Sequence, residues 1–297
     1  MRNVLKIYIR AFRLNFITAS ILPYLAGSFL AKSLSWFELM IGLTAVVGTH
    51  LGANLINDYS DSRSGVDWKD RKFYGFFGGS KLIQDGVLSE RFYLGAALFW
   101  FLLAFAAVGT LALARSPDVL VLYAIVFFLG FFYSRKPFKF SYRRMGEAVI
   151  FILFGLAAVM GGYYIQTGDF PSIKSFLLSL PFGFFTAAIL FVNEVPDCND
   201  DISCGKFTLV SVVGSAKAYV VYDMLMFMGF LAILLNVFTG NLSVVSLVSL
   251  LLVSLVGPSS DNLRGNFADK EKLVMSSKFT IAVAALAGVV ICLDLLI

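Results

Sequence analysis

The sequence predicts an all-α, polytopic membrane protein built as a bundle of nine transmembrane helices. Hydrophobic residues make up 59% of the 297 residues and charged residues only 14%. So little charge cannot solvate a water-soluble domain of this size, and a helix needs about 20 apolar residues to cross a bilayer. Nine apolar stretches of roughly that length can be read from the sequence. They cover residues 11–31, 36–60, 92–114, 118–133, 145–166, 172–194, 215–238, 243–259 and 276–296.

The first predicted span follows a basic segment and superficially resembles a signal peptide. The basic residues are Arg2, Lys6, Arg10 and Arg13. No small-residue cleavage site follows the apolar run, so we expect an uncleaved first helix.

The basic residues between the spans predict an orientation. All but three of the 24 lysines and arginines lie near the N-terminus or in the stretches 61–91, 134–144, 195–217 and 260–278, on the same side of the predicted spans. The exceptions are Lys32, Arg115 and Lys174. Because basic loops stay in the cytoplasm, we expect a cytoplasmic N-terminus in the cell membrane and an outer C-terminus. The net charge of +5 is too small to indicate nucleic-acid binding.

The second span ends in a polar face. His50, Asn54, Asn57, Asp58 and Asp61 recur with helical spacing and therefore share one side of an otherwise apolar helix. The basic loops assign this end to the cytoplasmic side.

The sixth span ends in a similar motif, which contains Asn193, Asp197, Asp200 and Asp201. A shift of 139 residues superposes Asn54 on Asn193, Asp58 on Asp197 and Asp61 on Asp200. The sequence therefore predicts one domain over residues 1–297 with a possible internal repeat, about 1–140 and 141–297. Such a repeat would bring the two acidic faces together across the bundle.

Two groups of carboxylates near membrane depth predict a cation between them. Burial of unpaired carboxylates costs free energy, and neighbouring carboxylates repel one another. Mg²⁺ prefers one or two carboxylates together with substrate phosphates. The predicted metal ligands are Asn54, Asp58, Asp61, Asn193, Asp197 and Asp201. Basic side chains of adjoining loops would bind the anion, namely Arg63, Lys136, Lys139, Arg143 and Lys206. A single motif of this kind can also be explained as an ordinary helix end capped by Asp and Asn. Two matching motifs on the same side of the membrane favour the metal site.

Both motifs carry a family resemblance. The first is Asn54-x-x-Asn57-Asp58-x-x-Asp61, and the second is Asp197-x-x-x-Asp201 with Gly205-Lys206-x-Thr208-Leu209. They resemble the UbiA superfamily of intramembrane prenyltransferases, and the resemblance covers essentially the whole chain. It implies a cone of nine helices, an allyl diphosphate held through Mg²⁺, and prenyl transfer to an acceptor. The catalytic residues it implies are Asp58, Asp61, Asp197, Asp201 and Lys206.

The loops after spans two and four carry a finer resemblance. The first reads Gly65-Val-Asp67 and then Phe76-Phe-Gly78-Gly79-Ser80-Lys-Leu-Ile-Gln84, where many members have Asn-Arg-Pro-x-x-Arg-Pro. The second reads Tyr133-Ser-x-x-Pro137-Phe-Lys139-x-x-Tyr142-Arg143-x-x-Gly146-Glu147. Both are similar to the MenA branch. This implies a polyprenyl diphosphate donor and an aromatic acceptor, 1,4-dihydroxy-2-naphthoate, in menaquinone biosynthesis.

The second motif departs from that branch. Typical members read Asn-Asn-x-Arg-Asp, whereas this chain reads Asn193-Glu194-Val195-Pro196-Asp197. The arginine is absent and an extra acid is present. Hydroxybenzoate, another quinol or a glycerol phosphate therefore stay open as acceptors.

Further polar residues near the predicted mouth are candidates for substrate binding. His50 is the only histidine, and both a packing role and an acceptor contact are open for it. Tyr133 and Tyr142 border the basic loop and could stabilise an allyl cation through their ring faces. The substrate-binding candidates are Arg13, Asn15, His50, Arg63, Gly79, Gln84, Tyr133, Lys136, Lys139, Tyr142 and Arg143.

A secondary transporter is the alternative from another class, because transporters also combine repeats with intramembrane acids. Transporter acids typically lie in mid-helix beside Gly or Pro breaks. Here the acids cluster at cytoplasmic helix ends with phosphate-binding cations, which favours an enzyme. The sequence implies the lipid bilayer as its surroundings and no protein partner.

Overall fold

The chain folds into helices joined by loops in the part described by this computed structural model, residues 2–31 and 33–297. Within those ranges one isolated bridge, between Arg143 and Phe207, is the only β-type pairing. The predicted all-α class is confirmed. Lys32, assigned to the outer side, lies outside the described residues. The helices are α1 (Arg2–Ala11), α2 (Thr18–Phe29), α3 (Trp36–Ser64), α4 (Glu90–Ala114), α5 (Asp118–Phe131), α6 (Gly146–Thr167), α7 (Ile173–Glu194), α8 (Cys198–Ser203), α9 (Leu209–Val213), α10 (Ala218–Phe238), α11 (Val244–Asn266) and α12 (Lys270–Leu296).

Seven helices in the described ranges are long and apolar enough to cross a membrane. They correspond to predicted spans two, three and five to nine, and they make this an integral membrane protein. The predicted first and fourth spans are also helical. Their apolar helices, Leu14–Phe29 and Asp118–Phe131, are shorter than the other seven.

Three predicted connections are partly helical, which corrects their boundaries. The connection 195–217 holds α8 and α9. α3 continues to Ser64, so Arg63 belongs to the helix and not to the loop. The stretch 260–278, predicted as a connection, holds the end of α11 and the start of α12. The Asp269 side chain caps α12 by accepting hydrogen bonds from two backbone N–H groups of its first turn. Capped polar turns extend a helix beyond its apolar stretch, and hydropathy does not detect them.

Glycines let three central helices pack with their backbones in contact. A Cβ atom on Gly27 of α2 would lie 1.9 Å from the carbonyl oxygen of Val159 in α6. A Cβ atom on Gly155 of α6 would lie 2.7 Å from the Cα of Gly183 in α7. Small residues allow this approach in membrane bundles. Gly155 belongs to a π-helical segment of α6, Phe151–Ala157.

A hydrogen-bonded cluster closes the end of the bundle opposite the acidic motifs. Arg115 Nη2 lies 2.7 Å from Glu38 Oε2 and donates to the backbone carbonyl of Gln166 at 3.0 Å. The Gln166 side chain accepts a hydrogen bond from the Ser35 N–H at 2.7 Å. The Tyr24 hydroxyl donates to a backbone carbonyl of α3 at 3.1 Å. These contacts tie α2 and the ends of α3, α4 and α6 together.

Candidate functional site

A cavity of about 340 Å³ begins between the polar ends of α3 and α7 and runs into the bundle. Its mouth is lined by polar and charged side chains, which include Asn54, Asp61, Asp67, Asn193, Asp197, Asp201 and Lys206. Its deeper wall is apolar and includes Val46, Leu111, Val126, Leu153, Ile165 and Ile189. The fold therefore brings both acidic motifs to the mouth of one apolar cavity.

Neighbours from separate segments hold the carboxylates of α3. The Ser80 N–H donates to Asp58 Oδ2 at 3.1 Å, and Arg13 Nη1 lies 3.6 Å from Asp58 Oδ1. The Tyr142 hydroxyl donates to Asp61 Oδ1 at 2.6 Å. Asp58 and Asp61 are only 2% and 6% exposed, so these contacts fix their positions.

Lys206 joins the two motifs. Its Nζ lies 3.3 Å from Asp201 Oδ2 and 3.9 Å from Asp61 Oδ2. Burial alone lowers the pKa of Lys206, but the carboxylates of Asp201, Asp61 and Glu194 outweigh burial and hold the pKa well above its usual value. The mouth therefore contains a charged amine positioned between the motifs.

Two further lysines reach the mouth, and the sequence argument did not single them out. Lys81, only 2% exposed, lies 3.2 Å from Asp67 Oδ1. Lys270, at the start of α12, lies 2.7 Å from Asp200 Oδ2 and 3.6 Å from Asp197 Oδ1. Lys81 lies two residues after the Gly78–Gly79 pair of the loop, and this position in the sequence could have identified it as a candidate site residue. No local pattern marks Lys270, because tertiary structure alone brings α12 to this mouth.

The glycine loop after α3 lies against the first motif. Gly78 and Gly79 have φ values of +73° and +75°, a conformation that glycine adopts without steric cost. A Cβ atom on Gly79 would lie 2.7 Å from the Asp67 carboxylate oxygens. The next residue, Ser80, supplies the N–H group that binds Asp58. The conformation of this loop therefore helps to set the geometry of the acids.

Several oxygens at the mouth have no hydrogen-bond partner and fit a cation. They are Asp58 Oδ1, Asn193 Oδ1 and both carboxylate oxygens of Asp201, all buried. Burial raises the pKa of Asp201 to about 7, and a bound divalent cation would oppose that effect. Such oxygen donors suit Mg²⁺. Among the described residues no group of three acidic, histidine or cysteine side chains forms a metal-holding cluster by itself, so substrate oxygens would have to complete the ligand set.

Five of the predicted substrate-binding residues lie at the cavity or directly behind its lining. Arg13, His50, Gly79 and Tyr133 line it, and Tyr142 lies behind Asp61. His50 is 6% exposed, and neither ring nitrogen has a hydrogen-bond partner. Its ring packs edge-on against Phe154, with centroids 5.5 Å apart.

The other predicted substrate-binding residues lie outside the lining. Arg63 lies 3.4 Å from Glu90 and is 61% exposed, and Asn15 donates to the Gly75 carbonyl at 3.3 Å. Gln84 is buried beneath the loop. The remaining three belong to the basic loop, where Lys136 and Arg143 are exposed and Lys139 Nζ lies 3.9 Å from the centroid of the Tyr142 ring. The structure therefore brings the acids together with Lys206, and Lys139 lies within electrostatic reach of Asp61, but Lys136 and Arg143 do not line the cavity.

Known proteins similar to this chain include a bacterial octaprenyltransferase and animal proteins with a UbiA prenyltransferase domain. A 1,4-dihydroxy-2-naphthoate octaprenyltransferase of Mycobacterium leprae (strain TN) is 28% identical over 77% of this chain and 74% of its own length. UbiA prenyltransferase domain-containing protein 1 of Gallus gallus is 30% identical over 75% of this chain and 67% of its own length. Its homolog in Drosophila melanogaster is 32% identical over 75% of this chain and 62% of its own length.

Solved structures share the fold at low sequence identity. The apo structure of a UbiA homolog from Aeropyrum pernix K1 has a TM-score of 0.73 at 16% identity, and the match covers 94% of this chain and 97% of that chain. A UbiA homolog from Archaeoglobus fulgidus bound to DMAPP and Mg²⁺ has a TM-score of 0.65 at 16% identity, over 94% and 98%. The profile of the UbiA prenyltransferase family matches residues 20–291. Because that match contains both acidic motifs and almost all of the cavity lining, the chain belongs to the UbiA prenyltransferase family and is a prenyltransferase.

Proposed function

We propose that this enzyme transfers a polyprenyl group from a prenyl diphosphate to an aromatic acceptor in a Mg²⁺-dependent reaction. The observation that carries the proposal is the meeting of two acidic helix ends at the polar mouth of an apolar cavity. A prenyl diphosphate has the matching shape, with a charged head and a hydrocarbon chain. The A. fulgidus homolog holds such ligands, DMAPP or GPP, together with Mg²⁺.

The diphosphate would lie between the two motifs. Bound Mg²⁺ would supply positive charge that stabilises the departing diphosphate. Its ligands would be the oxygens of Asn54, Asp58, Asp61, Asn193, Asp197 and Asp201. Lys206, Lys81 and Lys270 are placed to neutralise the remaining phosphate charge, and Arg13 reaches the same mouth beside Asp58.

The apolar depth of the cavity would hold the prenyl chain. Its walls exclude water from the allyl cation until the acceptor attacks, and exclusion of water also strengthens each charge contact at the mouth. Tyr133 presents a ring beside the mouth, where it can stabilise the cation.

We propose 1,4-dihydroxy-2-naphthoate, the acceptor of menaquinone biosynthesis, as the representative acceptor. The resemblance of the loops to the MenA branch and the M. leprae relative support this choice. The Gly78–Gly79 pair lines the mouth, where backbone without side chains can approach a flat ring. Hydroxybenzoate, another quinol and a glycerol phosphate are the alternatives that the assay separates.

The proposed topology has nine spans within one domain, with the mouth facing the cytoplasm. It counts the two shorter apolar helices, Leu14–Phe29 and Asp118–Phe131, as spans. The distribution of lysine and arginine supports the orientation. The matching motifs at the ends of α3 and α7 support an internal repeat.

An acceptor competition tests the proposed function. Purified protein receives Mg²⁺, one labelled polyprenyl diphosphate and equal amounts of dihydroxynaphthoate, hydroxybenzoate and a glycerol phosphate, and products are separated by mass. We expect prenylated naphthoate as the main product, and none without Mg²⁺. Product from hydroxybenzoate alone or from the glycerol phosphate alone contradicts the proposed acceptor but not the family.

A further inference from the structure

Two buried acids beside the metal motifs have no cation of their own. Glu147 on α6 and Glu194 at the end of α7 are 8% and 5% exposed. Among the described residues neither takes part in a salt bridge. Their carboxyl groups lie close enough to each other to interact directly. Buried acids are costly in a membrane protein and mark functional sites there.

The pair lies where the polar mouth meets the apolar depth. Glu194 lines the cavity between Asn193, at the mouth, and the apolar Leu190. A Cβ atom on Gly146 would lie 3.3 Å from the Tyr133 hydroxyl and 3.5 Å from Glu194 Oε1. The absence of a side chain at Gly146 therefore leaves room where these polar groups converge. An acceptor must enter this part of the cavity, because the reactive carbon of a prenyl diphosphate adjoins its diphosphate.

Unpartnered polar atoms point to a hydrogen-bonding ligand in this wall. Glu147 Oε1 and Glu194 Oε2 are buried without a hydrogen-bond partner, and so are both ring nitrogens of His50. Glu194 and His50 line the cavity, and Glu147 lies beside Glu194 outside the lining. A hydrocarbon chain cannot satisfy them, and two adjacent acids repel a diphosphate. The ligand that fits is a neutral donor of hydrogen bonds, such as a ring hydroxyl.

We propose that the Glu147–Glu194 pair binds the hydroxyl groups of a phenolic acceptor and so determines which acceptors are used. The inference rests on the proposed prenyl transfer to an aromatic ring. The acceptor hydroxyl donates to a free carboxyl oxygen of the pair, and His50 offers a second polar contact deeper in the wall. The ring is thereby held by its hydroxyl edge beside the reactive end of the donor.

The pair also determines the substrate class. An acceptor carboxylate cannot face two acids, so it points away from them and contributes little to recognition. Lys206, the nearest cation, is engaged by Asp201 and Asp61. The enzyme therefore recognises dihydroxynaphthalenes by their hydroxyl groups and does not require the carboxylate.

The test compares wild type with Glu147→Gln and Glu194→Gln, and Glu90→Gln is the matched control at a partly exposed site away from the cavity. The acceptors are 1,4-dihydroxy-2-naphthoate, 1,4-naphthoquinol and 4-methoxy-1-naphthol, which has lost one hydroxyl donor. We expect wild type to use the first two with similar kcat/KM and to discriminate against the methyl ether by about 10- to 100-fold, the worth of a hydrogen bond to a charged group. Both Gln variants should lose most of that discrimination through a higher acceptor KM, whereas Glu90→Gln keeps it.

Donor binding separates this inference from the proposed function. All variants should bind a non-hydrolysable thio analogue of the prenyl diphosphate with Mg²⁺ as tightly as wild type does, which also shows that they fold. Wild-type failure with 1,4-naphthoquinol, or undiminished discrimination in the Gln variants, overturns the inference and leaves the prenyl transfer standing. Wild-type protein that prenylates no aromatic acceptor overturns both.

Discussion

At the residue scale, the mouth holds buried acids that lysines neutralise only in part. Lys206 lies between Asp61 and Asp201, yet both oxygens of Asp201 lack a hydrogen-bond partner. Asp58 Oδ2 accepts a hydrogen bond from the Ser80 N–H, whereas Oδ1 has no hydrogen-bond partner and lies 3.6 Å from Arg13 Nη1. The oxygens without a hydrogen-bond partner are suitable ligands for the proposed Mg²⁺ that would hold the diphosphate.

Replacement of Asp58 by Asn should abolish most activity. The change keeps the size of the side chain but removes a charge that the proposed site directs at Mg²⁺, so we expect transfer to fall by about 100-fold or more. Asp118→Asn, exposed at the opposite end of the bundle, should be neutral. Initial rates at saturating donor and Mg²⁺ measure the effect. An Asp58→Asn enzyme as active as the Asp118→Asn enzyme would remove the first motif from the site.

The Mg²⁺ requirement should depend on pH through Asp201. Burial raises the pKa of this carboxyl to about 7, so at pH 6 a proton occupies it and competes with the metal. The Mg²⁺ concentration that gives half-maximal binding of the donor analogue should therefore fall between pH 6 and pH 8. Titrations with Mg²⁺ at three pH values check this. Asp201→Asn should bind the analogue weakly, without this pH dependence, and a constant requirement in wild type would contradict the prediction.

At the element scale, the loop after α3 positions the acids through its backbone. Gly79→Ala should lower activity strongly, since its Cβ atom would lie 2.7 Å from the Asp67 carboxylate and displace the Ser80 N–H from Asp58. Gly86→Ala is the matched control, because Gly86 also has a positive φ, +69°, but open space around it. Donor KM and kcat for both variants measure the difference. Equal losses of activity in both variants would show that backbone strain alone, and not the contact with Asp67, causes the effect.

The elements also separate what sequence can predict from what it cannot. Periodicity placed Asp58 and Asp61 on one helix face, because a helix fixes neighbours within a few residues. It missed Lys270, whose contact with Asp200 joins residues that are far apart in the chain. The positive charge of the loop after α5 favoured Lys136 and Arg143 as phosphate-binding residues, although neither lines the cavity. The Glu147–Glu194 contact needs the packing of α6 against α7, which no spacing rule contains.

At the scale of the whole molecule, the proposed orientation makes a labelling prediction. In a background without cysteine, a single cysteine at Asp169 should react with an impermeant reagent outside intact cells. One at Lys136 should react only after the membrane is opened. Both positions are exposed, so accessibility does not bias the comparison. Labelling of Lys136→Cys in intact cells would reverse the orientation.

Hydropathy predicted the helical segments because burial in lipid needs long apolar runs. It could not predict how far the short helices Leu14–Phe29 and Asp118–Phe131 reach, since tilt and packing decide that. Hydropathy also could not predict the cavity. The deeper wall of the cavity and the outer surface of the bundle both carry apolar side chains, and only packing distinguishes them.

The cluster at the closed end bears on the electrical insulation of the membrane. A cavity that admits the proposed diphosphate from one side must not let ions pass to the other, where 100 mV drives each charge with about 2.3 kcal/mol. Beyond the apolar depth, Arg115 is paired with Glu38 at 2.7 Å and donates to the Gln166 carbonyl, so these polar groups bind one another rather than a passing ion. The proposed charged substrate can therefore be bound within the bilayer without opening a path for ions.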